Sequence, residues 1–183
     1  KDRLGDQLFA ADIEIVDDPH RKRGLRSKPF DAEGIANSKR SIVKDGVLTT
    51  WLLDLASAKQ LGLETTGHAG RGTSGPPSPG PSNLYLTPGT LSPAELMADI
   101  EAGLYITSLM GMGVNGVTGD YSRGASGFWI ENGEITFPVT ELTIAGNLNQ
   151  MFAGMSRAND LAFRFGTNSP TVRIDGLIVA GGG

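Results

Sequence analysis

The sequence predicts a single α+β domain that is mostly antiparallel β, with two or three short helices. Its 183 residues are the length of one typical domain. Glycine (26 residues) and proline (10 residues) supply about a fifth of the chain, against an average near ~12%. This composition favours short strands joined by turns over a helix bundle. The pairs Asp45-Gly46 and Asn132-Gly133 each stand between β-forming runs, as is typical of two-residue hairpin turns.

Alternating apolar and acidic residues predict a first strand over residues 8–16. Residues 17–34 lack an apolar period and are expected to form a long loop. Its basic run, Arg21–Arg23, has two interpretations, a nucleic-acid patch or a solvated loop with Asp17 and Asp18 nearby. The second interpretation is favoured because isolated charge runs are usually solvated.

The first hairpin should pair residues 41–44 with 47–53, and a short helix over 56–61 should end at Gly62. Residues 67–81 are so rich in Gly and Pro that no regular structure is expected there. They form either a flexible linker or a binding loop over a sheet, and a loop within one domain is favoured because patterned sequence lies on both sides. A short strand is expected over 84–86.

The clearest helix start is a capping box with Ser92 as N-cap, Pro93 at the first helical position and Glu95 at the third. We expect this helix to end at Gly103 and a strand to follow over 104–110.

The second hairpin should join strands 128–130 and 135–137, with Pro138 ending the return strand or placing it at an edge. A strand is expected over 141–145. It should be followed by a helix with Asn147 as its N-cap, whose apolar face would consist of Leu148, Met151, Phe152 and Met155. Two final strands are expected over 161–165 and 171–180.

Charge and cysteine content exclude several classes of function. The net charge of −4 and the pI near 5.1 do not support general affinity for nucleic acid or anionic membranes. The chain has no cysteine, which excludes disulfides, thiol nucleophiles and Cys-zinc sites within it and favours the cytoplasm. No apolar run approaches the ~20 residues needed to span a bilayer.

Residues 111–116 match the G-x-G-x-x-G pattern of dinucleotide sites. Such a site needs a helix directly after the glycines, whereas residues 117–124 are glycine-broken and β-like. We therefore expect a tightly turning, bulged strand, with nucleotide binding as the less favoured alternative.

Only His20 and His68 supply imidazoles, so a complete metal centre is not expected. His20 should point to water, and His68 is either a ligand contact or a turn histidine. Ser122, Asp120 and His68 provide the inventory of a serine triad without a nucleophile-elbow motif. Arg123 stands in a Gly/Ser stretch and is expected either to bind a carboxylate of a peptide or partner, or to form an internal salt bridge.

Nearly the whole chain resembles the TldD/PmbA family, through the runs Pro29–Gly34, Lys44–Leu48, Thr65–Ala69, Gly113–Glu134 and Thr143–Leu148. The family has a catalytic TldD kind, with an HExxxH zinc motif and a late cysteine, and a PmbA (TldE) kind that lacks both. The run Tyr121–Trp129 is PmbA-like, and no cysteine lies between Asn159 and Ile174. The chain is therefore similar to the C-terminal domain of the PmbA kind.

The resemblance implies a barrel-like β domain, and we expect residues 1–183 to be a fragment of a longer protein with an N-terminal α/β domain. It also implies a cytoplasmic metallopeptidase complex that degrades unfolded peptides and matures microcin precursors. This chain would be the non-catalytic member of a dimer with a TldD-type subunit or with itself, and the zinc would be held by the TldD-type partner.

No catalytic or metal-ligating residue and no nucleic-acid or membrane partner is expected in this chain. The candidate peptide- or partner-binding residues are His68, Asp120, Tyr121, Ser122 and Arg123. Glycine-rich loops and sheet edges would bind extended peptide by strand addition. The alternative function is a regulatory, protein-binding module without proteolytic role, since the family is also labelled a modulator of DNA gyrase.

Overall fold

The computed structural model describes residues 2–181. They form two compact units. The first unit runs to Pro88 and includes Leu161–Pro170, and the second comprises Gly89–Asp160 and the chain from Thr171 onward.

Thirteen strands and three short helices lie in residues 2–181, so the predicted α+β class with mostly strands is confirmed. In chain order they are β1 (Ile15–Asp17), β2 (Arg40–Lys44), β3 (Val47–Leu48), α1 (Leu55–Leu61), β4 (Ala69–Gly70), β5 (Ser78–Pro79), β6 (Leu84–Leu86), α2 (Pro93–Met97), β7 (Ala102–Met110), β8 (Asp120–Glu131), β9 (Glu134–Asn147), α3 (Leu148–Ala153), β10 (Ser156–Arg157), β11 (Thr167–Asn168), β12 (Val172–Arg173) and β13 (Ile178–Ala180).

The first unit is built on a five-stranded sheet of order β11-β6-β1-β2-β3. Its pairings are antiparallel, except that β11 runs parallel to β6. The unit also carries α1 and the small β4–β5 ribbon. Apolar side chains of β1, β2 and the preceding turn fill the core, including Ile13, Val16 and Val43.

The second unit is built on a four-stranded antiparallel sheet of order β13-β9-β8-β7. Strands β7, β8 and β9 contain 9, 12 and 14 residues, which is long beside a typical strand of about 5–6 residues. The buried residues Ile130, Leu142 and Ile144 form the centre of its core.

The expected barrel is not supported. A barrel requires the first and last strands of a sheet to pair. Within residues 2–181 the two larger sheets end on different strands, β11 and β3 in one and β13 and β7 in the other, and neither closes. The high strand content was predicted correctly, and the prediction of a barrel-like sheet was wrong.

Both predicted hairpin turns are confirmed by positive φ angles at each central residue. The values are 52° and 76° at Asp45 and Gly46, and 50° and 81° at Asn132 and Gly133. The first strand is shorter than predicted because residues 8–14 wrap over the first hairpin. The N–H groups of Leu8 and Phe9 both donate to the carbonyl of Gly46.

Helix α1 was predicted, including its left-handed end at Gly62 (φ 68°). Helix α2 begins at the predicted capping box of Ser92 and Glu95 but ends at Met97, so the prediction of Gly103 was wrong. The chain turns there because the carbonyls of Ile100 and Glu101 accept hydrogen bonds from the β8–β9 turn. Helix α3 begins after Asn147 as predicted.

Other expectations were wrong in extent. The loop 67–81 contains the β4–β5 ribbon, residues 161–165 are not a strand, and 171–180 is divided into β12 and β13. Strand β9 continues through Pro138. The edge alternative for Pro138 holds, since β13 pairs only with residues 143–145 of β9.

None of the helices in residues 2–181 has the length and apolarity to cross a membrane.

Candidate functional site

Strand β7 forms one end of the four-stranded sheet in the second unit. It pairs with β8 along nearly its whole length, from Ala102–Glu131 to Met110–Gly124. Within the described part of the chain its other edge has no strand partner. An open edge offers backbone N–H and C=O groups to an added strand.

An apolar cavity of about 520 Å³ adjoins β7 within the second unit. Residues 102–106 and Leu109 of β7 line one part of it. The rest comes from α2, β8, β9, α3 and the last strands, through residues that include Leu96, Tyr121, Trp129, Ile144, Met151 and Leu177. The edge and the cavity together resemble a surface that holds an extended chain and buries some of its apolar side chains.

Arg173 of β12 holds one part of the cavity wall together. Its Nη1 donates to the carbonyl of Leu96 at 2.9 Å, and its Nε donates to Asp175 at 2.9 Å. Hydrogen bonds to Asp99 and then Asp175 raise the pKa of the Arg173 guanidinium above its ordinary value. The side chain is therefore a fixed cation that joins β12 to the end of α2.

Four of the five predicted site residues are consecutive at the start of β8. Alternation along the strand places Tyr121 and Arg123 on one face and Asp120 and Ser122 on the other. Tyr121 is half-buried and lines the cavity. Asp120 is exposed, and its Oδ2 accepts a hydrogen bond from Thr118 at 2.6 Å.

Arg123 lies beside the end of β7. Its guanidinium nitrogens are 3.4 Å from the carbonyl oxygen of Leu109 and 3.5 Å from that of Met110. These are long contacts, and no carboxylate in residues 2–181 forms an ion pair with it. The internal salt bridge expected for Arg123 is thus not found among these residues. The alternative, that Arg123 binds a carboxylate of a peptide or partner, stays a prediction.

The glycines of the G-x-G-x-x-G segment have backbone roles. Gly111 has φ of 77°, and a Cβ on Gly113 would lie 1.7 Å from the carbonyl oxygen of Ser122. The segment folds back on β8, with Val114 bridged to Tyr121. A turn and then β8 follow it, where a dinucleotide site needs a helix. The segment turns tightly as predicted, but the expected strand is wrong, because among the described residues its pairing is limited to the isolated bridge at Val114 and strand β8 begins only at Asp120.

His68 belongs to the first unit, whereas the other four candidates belong to the second. It is 2% exposed and belongs to a buried polar cluster. Its Nε2 lies 3.1 Å from Oδ2 of Asp17, and its Nδ1 lies 2.8 Å from Oγ1 of Thr66. Ser82 donates to the same Asp17 oxygen at 2.5 Å. Asp17 can only accept when ionised, so the geometry assigns a proton to Nε2 of His68.

Two opposing effects set the pKa of Asp17. Burial raises the pKa of this carboxyl. The hydrogen bonds from His68 and Ser82 lower the pKa by more than burial raises it, so the pKa lies below its ordinary value. Sequence analysis missed Asp17 and Ser82 as partners of His68. They are 51 and 14 positions away along the chain, and no local pattern connects them.

The cluster does not form a serine triad. In a triad the imidazole accepts the serine proton, whereas here both Ser82 and His68 donate to Asp17. The proposed trio of Ser122, Asp120 and His68 is divided between the two units. Within the buried cluster, Ser82 is therefore not activated as a nucleophile by His68.

The described residues do not fit a zinc ion. No group of three or more His, Cys, Asp or Glu in residues 2–181 is placed to hold a metal. Both ring nitrogens of His68 are occupied by Thr66 and Asp17. His20 as a residue is exposed, as predicted. Its Nε2 atom lies 2.8 Å from Oδ1 of Asn37.

These observations define an α+β chain with an open-edged sheet, a cavity beside that edge and no set of metal ligands in its described part. A family model, the PmbA/TldA metallopeptidase C-terminal domain, matches residues 1–181. The chain belongs to this PmbA/TldD family, as the resemblance of its glycine-rich runs predicted.

Two curated relatives cover the chain almost completely. Metalloprotease PmbA of Escherichia coli O157:H7 is 44% identical over 181 residues, which are 98% of this chain and 38% of the relative. The Metalloprotease PmbA homolog of Haemophilus influenzae is 42% identical over 182 residues, with the same two shares. The chain thus spans less than two fifths of the length of either relative.

Solved structures share the fold. A putative modulator of a DNA gyrase from Thermotoga maritima has a TM-score of 0.84 at 36% identity, covering 97% of this chain and 41% of that one. TldE from Thermococcus kodakarensis has a TM-score of 0.86 at 25% identity, covering 98% of this chain and 42% of that one.

Proposed function

We propose that this chain is the C-terminal domain of a PmbA/TldE-type, non-catalytic subunit of a TldD/PmbA metallopeptidase complex. The complex would degrade or mature unfolded peptides, including precursors of the microcin type, in the cytoplasm. The partner would be a TldD-type subunit or a second copy of the protein, and the zinc would be held by the TldD-type partner.

One observation carries this proposal: the described residues place no group of three or more possible metal ligands together, and both ring nitrogens of the buried His68 already have partners. A catalytic zinc site takes three protein ligands and leaves one position open to water or substrate. His68 could become a ligand only by giving up Asp17 or Thr66 inside the core, and the described residues supply no cluster to join it. The chain is 44% identical to a protein named a metalloprotease, so the metal ligands of the assembly should lie elsewhere.

The open edge of β7 supports a role in binding extended chains. A peptide added along β7 would pair its backbone with the free edge and place alternate side chains toward the cavity. The cavity lining is mostly apolar, with Leu104, Ile106 and Trp129 among its members. Unfolded peptides expose such apolar residues and unpaired backbone, whereas folded proteins do not, which would give selectivity for unfolded substrates.

Tyr121 and Arg123 lie on the same face of β8, near the end of β7. In this position the Arg123 guanidinium would bind a carboxylate of the peptide or of the partner subunit. Asp120 and Ser122 would contribute polar contacts from the opposite face. His68 would act through the core of the first unit, by fixing the backbone of residues 66–69.

Co-expression tests the proposal directly. The full-length protein is purified alone, with a TldD-type subunit, and with a TldD-type subunit whose HExxxH motif is mutated. Cleavage of an unfolded peptide should require both subunits and an intact motif in the partner. Cleavage by the full-length protein alone, or by the complex with the mutated partner, would contradict it.

The alternative is a regulatory module that binds DNA gyrase without proteolysis. It is favoured by the names of two similar structures, each called a putative modulator of DNA gyrase. Pull-down with the full-length protein separates the two functions. Capture of gyrase in the absence of a TldD-type subunit supports the alternative, and capture of the TldD-type subunit alone supports the peptidase complex.

A further inference from the structure

The first part of the loop before β2 carries a concentration of positive charge with no carboxylate inside it. Residues 20–28 contain five basic side chains, Arg21, Lys22, Arg23, Arg26 and Lys28, and no carboxylate. Of the two acids just before them, Asp17 is buried against His68 and Ser82. Asp18 uses Oδ1 to accept the backbone N–H of His20.

A second loop packs against this one within the first unit. The guanidinium carbon of Arg21 lies 3.5 Å from the ring centroid of Phe163, and Tyr85 meets the same ring edge-on at 5.1 Å. The Arg26 side chain covers Gly166 so closely that a Cβ there would lie 2.3 Å from its Nε. Arg164, which lies between these two contact points along the chain, is exposed and adds a further positive charge to this second loop.

The basic patch is defined here as Arg21, Lys22, Arg23, Arg26 and Arg164. Apart from the half-buried Arg21, these side chains are exposed, and no ion pair within residues 2–181 involves any of them. Two apolar neighbours in the same loops are also uncovered, Leu25 at 73% and Phe165 at 70% exposure. Unpaired cations beside exposed apolar side chains are typical of an interaction surface.

The backbone at Arg23 has a φ of 59°, in the left-handed region that non-glycine residues seldom adopt. This conformation is sterically unfavourable for a residue that carries a Cβ. A glycine would avoid that cost, and Arg23 forms no ion pair within the described chain that would offset it.

We propose that the basic patch binds an acidic segment of a partner protein, one that carries apolar residues between its carboxylates. Arginine presents a planar fork of N–H donors that matches a carboxylate. Stacking on Phe163 fixes the plane of the Arg21 guanidinium and leaves its N–H edge free to donate. Leu25 and Phe165 would cover the apolar side chains of the segment.

Charge balance favours a short acidic protein segment over a nucleic acid. The whole chain carries a net charge of −4, so a long polyanion would meet repulsion beyond the patch. A short segment needs only the local positive charge. This inference goes beyond the proposed peptidase role and does not depend on it.

The test uses the full-length protein and measures fluorescence anisotropy of three labelled probes. The first is a short synthetic peptide of alternating Glu and Leu, the second replaces each Glu by Gln, and the third is a short oligo(dT). The acidic peptide should bind, and its binding should weaken when salt is raised to about 0.3 M, because added ions screen exposed charge pairs. The Gln peptide should bind much more weakly.

Matched triple variants locate the binding surface. One carries Lys22→Gln, Arg23→Gln and Arg164→Gln, and the control carries Lys39→Gln, Lys44→Gln and Arg71→Gln, exposed residues of the same unit. Both remove three positive charges. The patch variant should bind the acidic peptide roughly tenfold more weakly, as the loss of several exposed charge pairs implies, and the control should bind nearly as the parent does. Thermal unfolding should be the same in both.

Phe165→Ala tests the apolar part of the surface and should weaken binding several-fold without changing charge. Four results would overturn the proposal: no binding of the acidic peptide, equal binding of the Gln peptide, equal weakening in both triple variants, or tighter binding of oligo(dT) than of the acidic peptide.

Discussion

Nε2 of His68 lies 3.1 Å from Oδ2 of Asp17, with both side chains excluded from solvent. This contact joins β1 to the segment that precedes β4, 51 positions further along the chain. Ser82 donates to the same carboxylate oxygen, and Thr66 contacts the other ring nitrogen of His68. The cluster therefore ties three separate parts of the first unit to one buried charge.

Replacing Asp17 by Asn should destabilise the first unit. An amide accepts more weakly than a carboxylate, and its NH₂ group would face donors from Ser82 and His68. We expect the free energy of unfolding to fall by about 2–4 kcal/mol at pH 7, measured by urea denaturation. The matched control is Asp2→Asn, at an exposed position, and equal stability of the two variants would contradict the role of the cluster.

Acid should destabilise the protein through buried carboxylates. Burial raises the pKa of Asp31, but hydrogen bonds from the backbone N–H groups of Ile35, Glu33 and Ala69 outweigh burial and lower it. The pKa of Asp17 is also lowered, by the hydrogen bonds from the side chains of His68 and Ser82. Both groups then bind protons more readily in the unfolded chain, where the pKa is about 3.9. The stability they supply is present above that pH and is lost as the pH falls through their lower native values.

Unfolding curves recorded from pH 7 down to acid should thus show a constant free energy near neutrality and a decline below pH about 4. The free energy of unfolding should fall less steeply with pH in the Asp17→Asn variant, because the amide does not take up the proton that Asp17 binds on acid unfolding. A stability that stays constant across the acid range would contradict this linkage.

Gly127→Ala should disrupt the pairing of β7 with β8. A Cβ at this position would lie 1.9 Å from the carbonyl oxygen of Tyr105, a backbone atom that cannot rotate away. We expect a loss of about 1–3 kcal/mol or more in unfolding free energy. Gly124→Ala on the same strand is the control, because its nearest neighbour is Cβ of Met110 at an ordinary 3.5 Å. Similar effects of the two substitutions would show that close approach at Gly127 is not required.

Arg123→Ala should weaken binding of the TldD-type subunit or of unfolded peptide more than it lowers stability. The guanidinium makes only long contacts with the carbonyls of Leu109 and Met110, so little folding energy depends on it. Binding by calorimetry and melting by circular dichroism measure the two effects separately. Arg71→Ala is an exposed control, and unchanged binding in Arg123→Ala would remove this residue from the candidate site.

Local chemistry made much of the fold predictable. The turns at Asp45-Gly46 and Asn132-Gly133 require two positive φ angles, and the Ser92 capping box specifies a helix start; both kinds of signal lie within four residues. The end of α2 was not predictable, because it is determined by hydrogen bonds from the distant β8–β9 turn to Ile100 and Glu101.

The site was predictable only in part. Residues 120–123 were chosen as candidates from their residue types, whereas the predicted strand began only at residue 128, so the sequence analysis missed that they open β8. The edge position of β7 follows from the order of strands in the sheet, which the sequence does not contain. Asp17 and Ser82 are brought to one another and to His68 by tertiary packing alone. The same applies to the second loop of the basic patch, whose Phe163 and Arg164 lie far along the chain from Arg21.

The proposed function requires that the residues of this chain hold no zinc of their own. Zinc content per chain is measured by inductively coupled plasma mass spectrometry after equilibration with zinc and dialysis. We expect a negligible amount in the chain of residues 1–183 and stoichiometric zinc only when a TldD-type subunit is bound. One tightly held zinc per isolated chain, lost on His20→Asn or His68→Asn substitution, would contradict it.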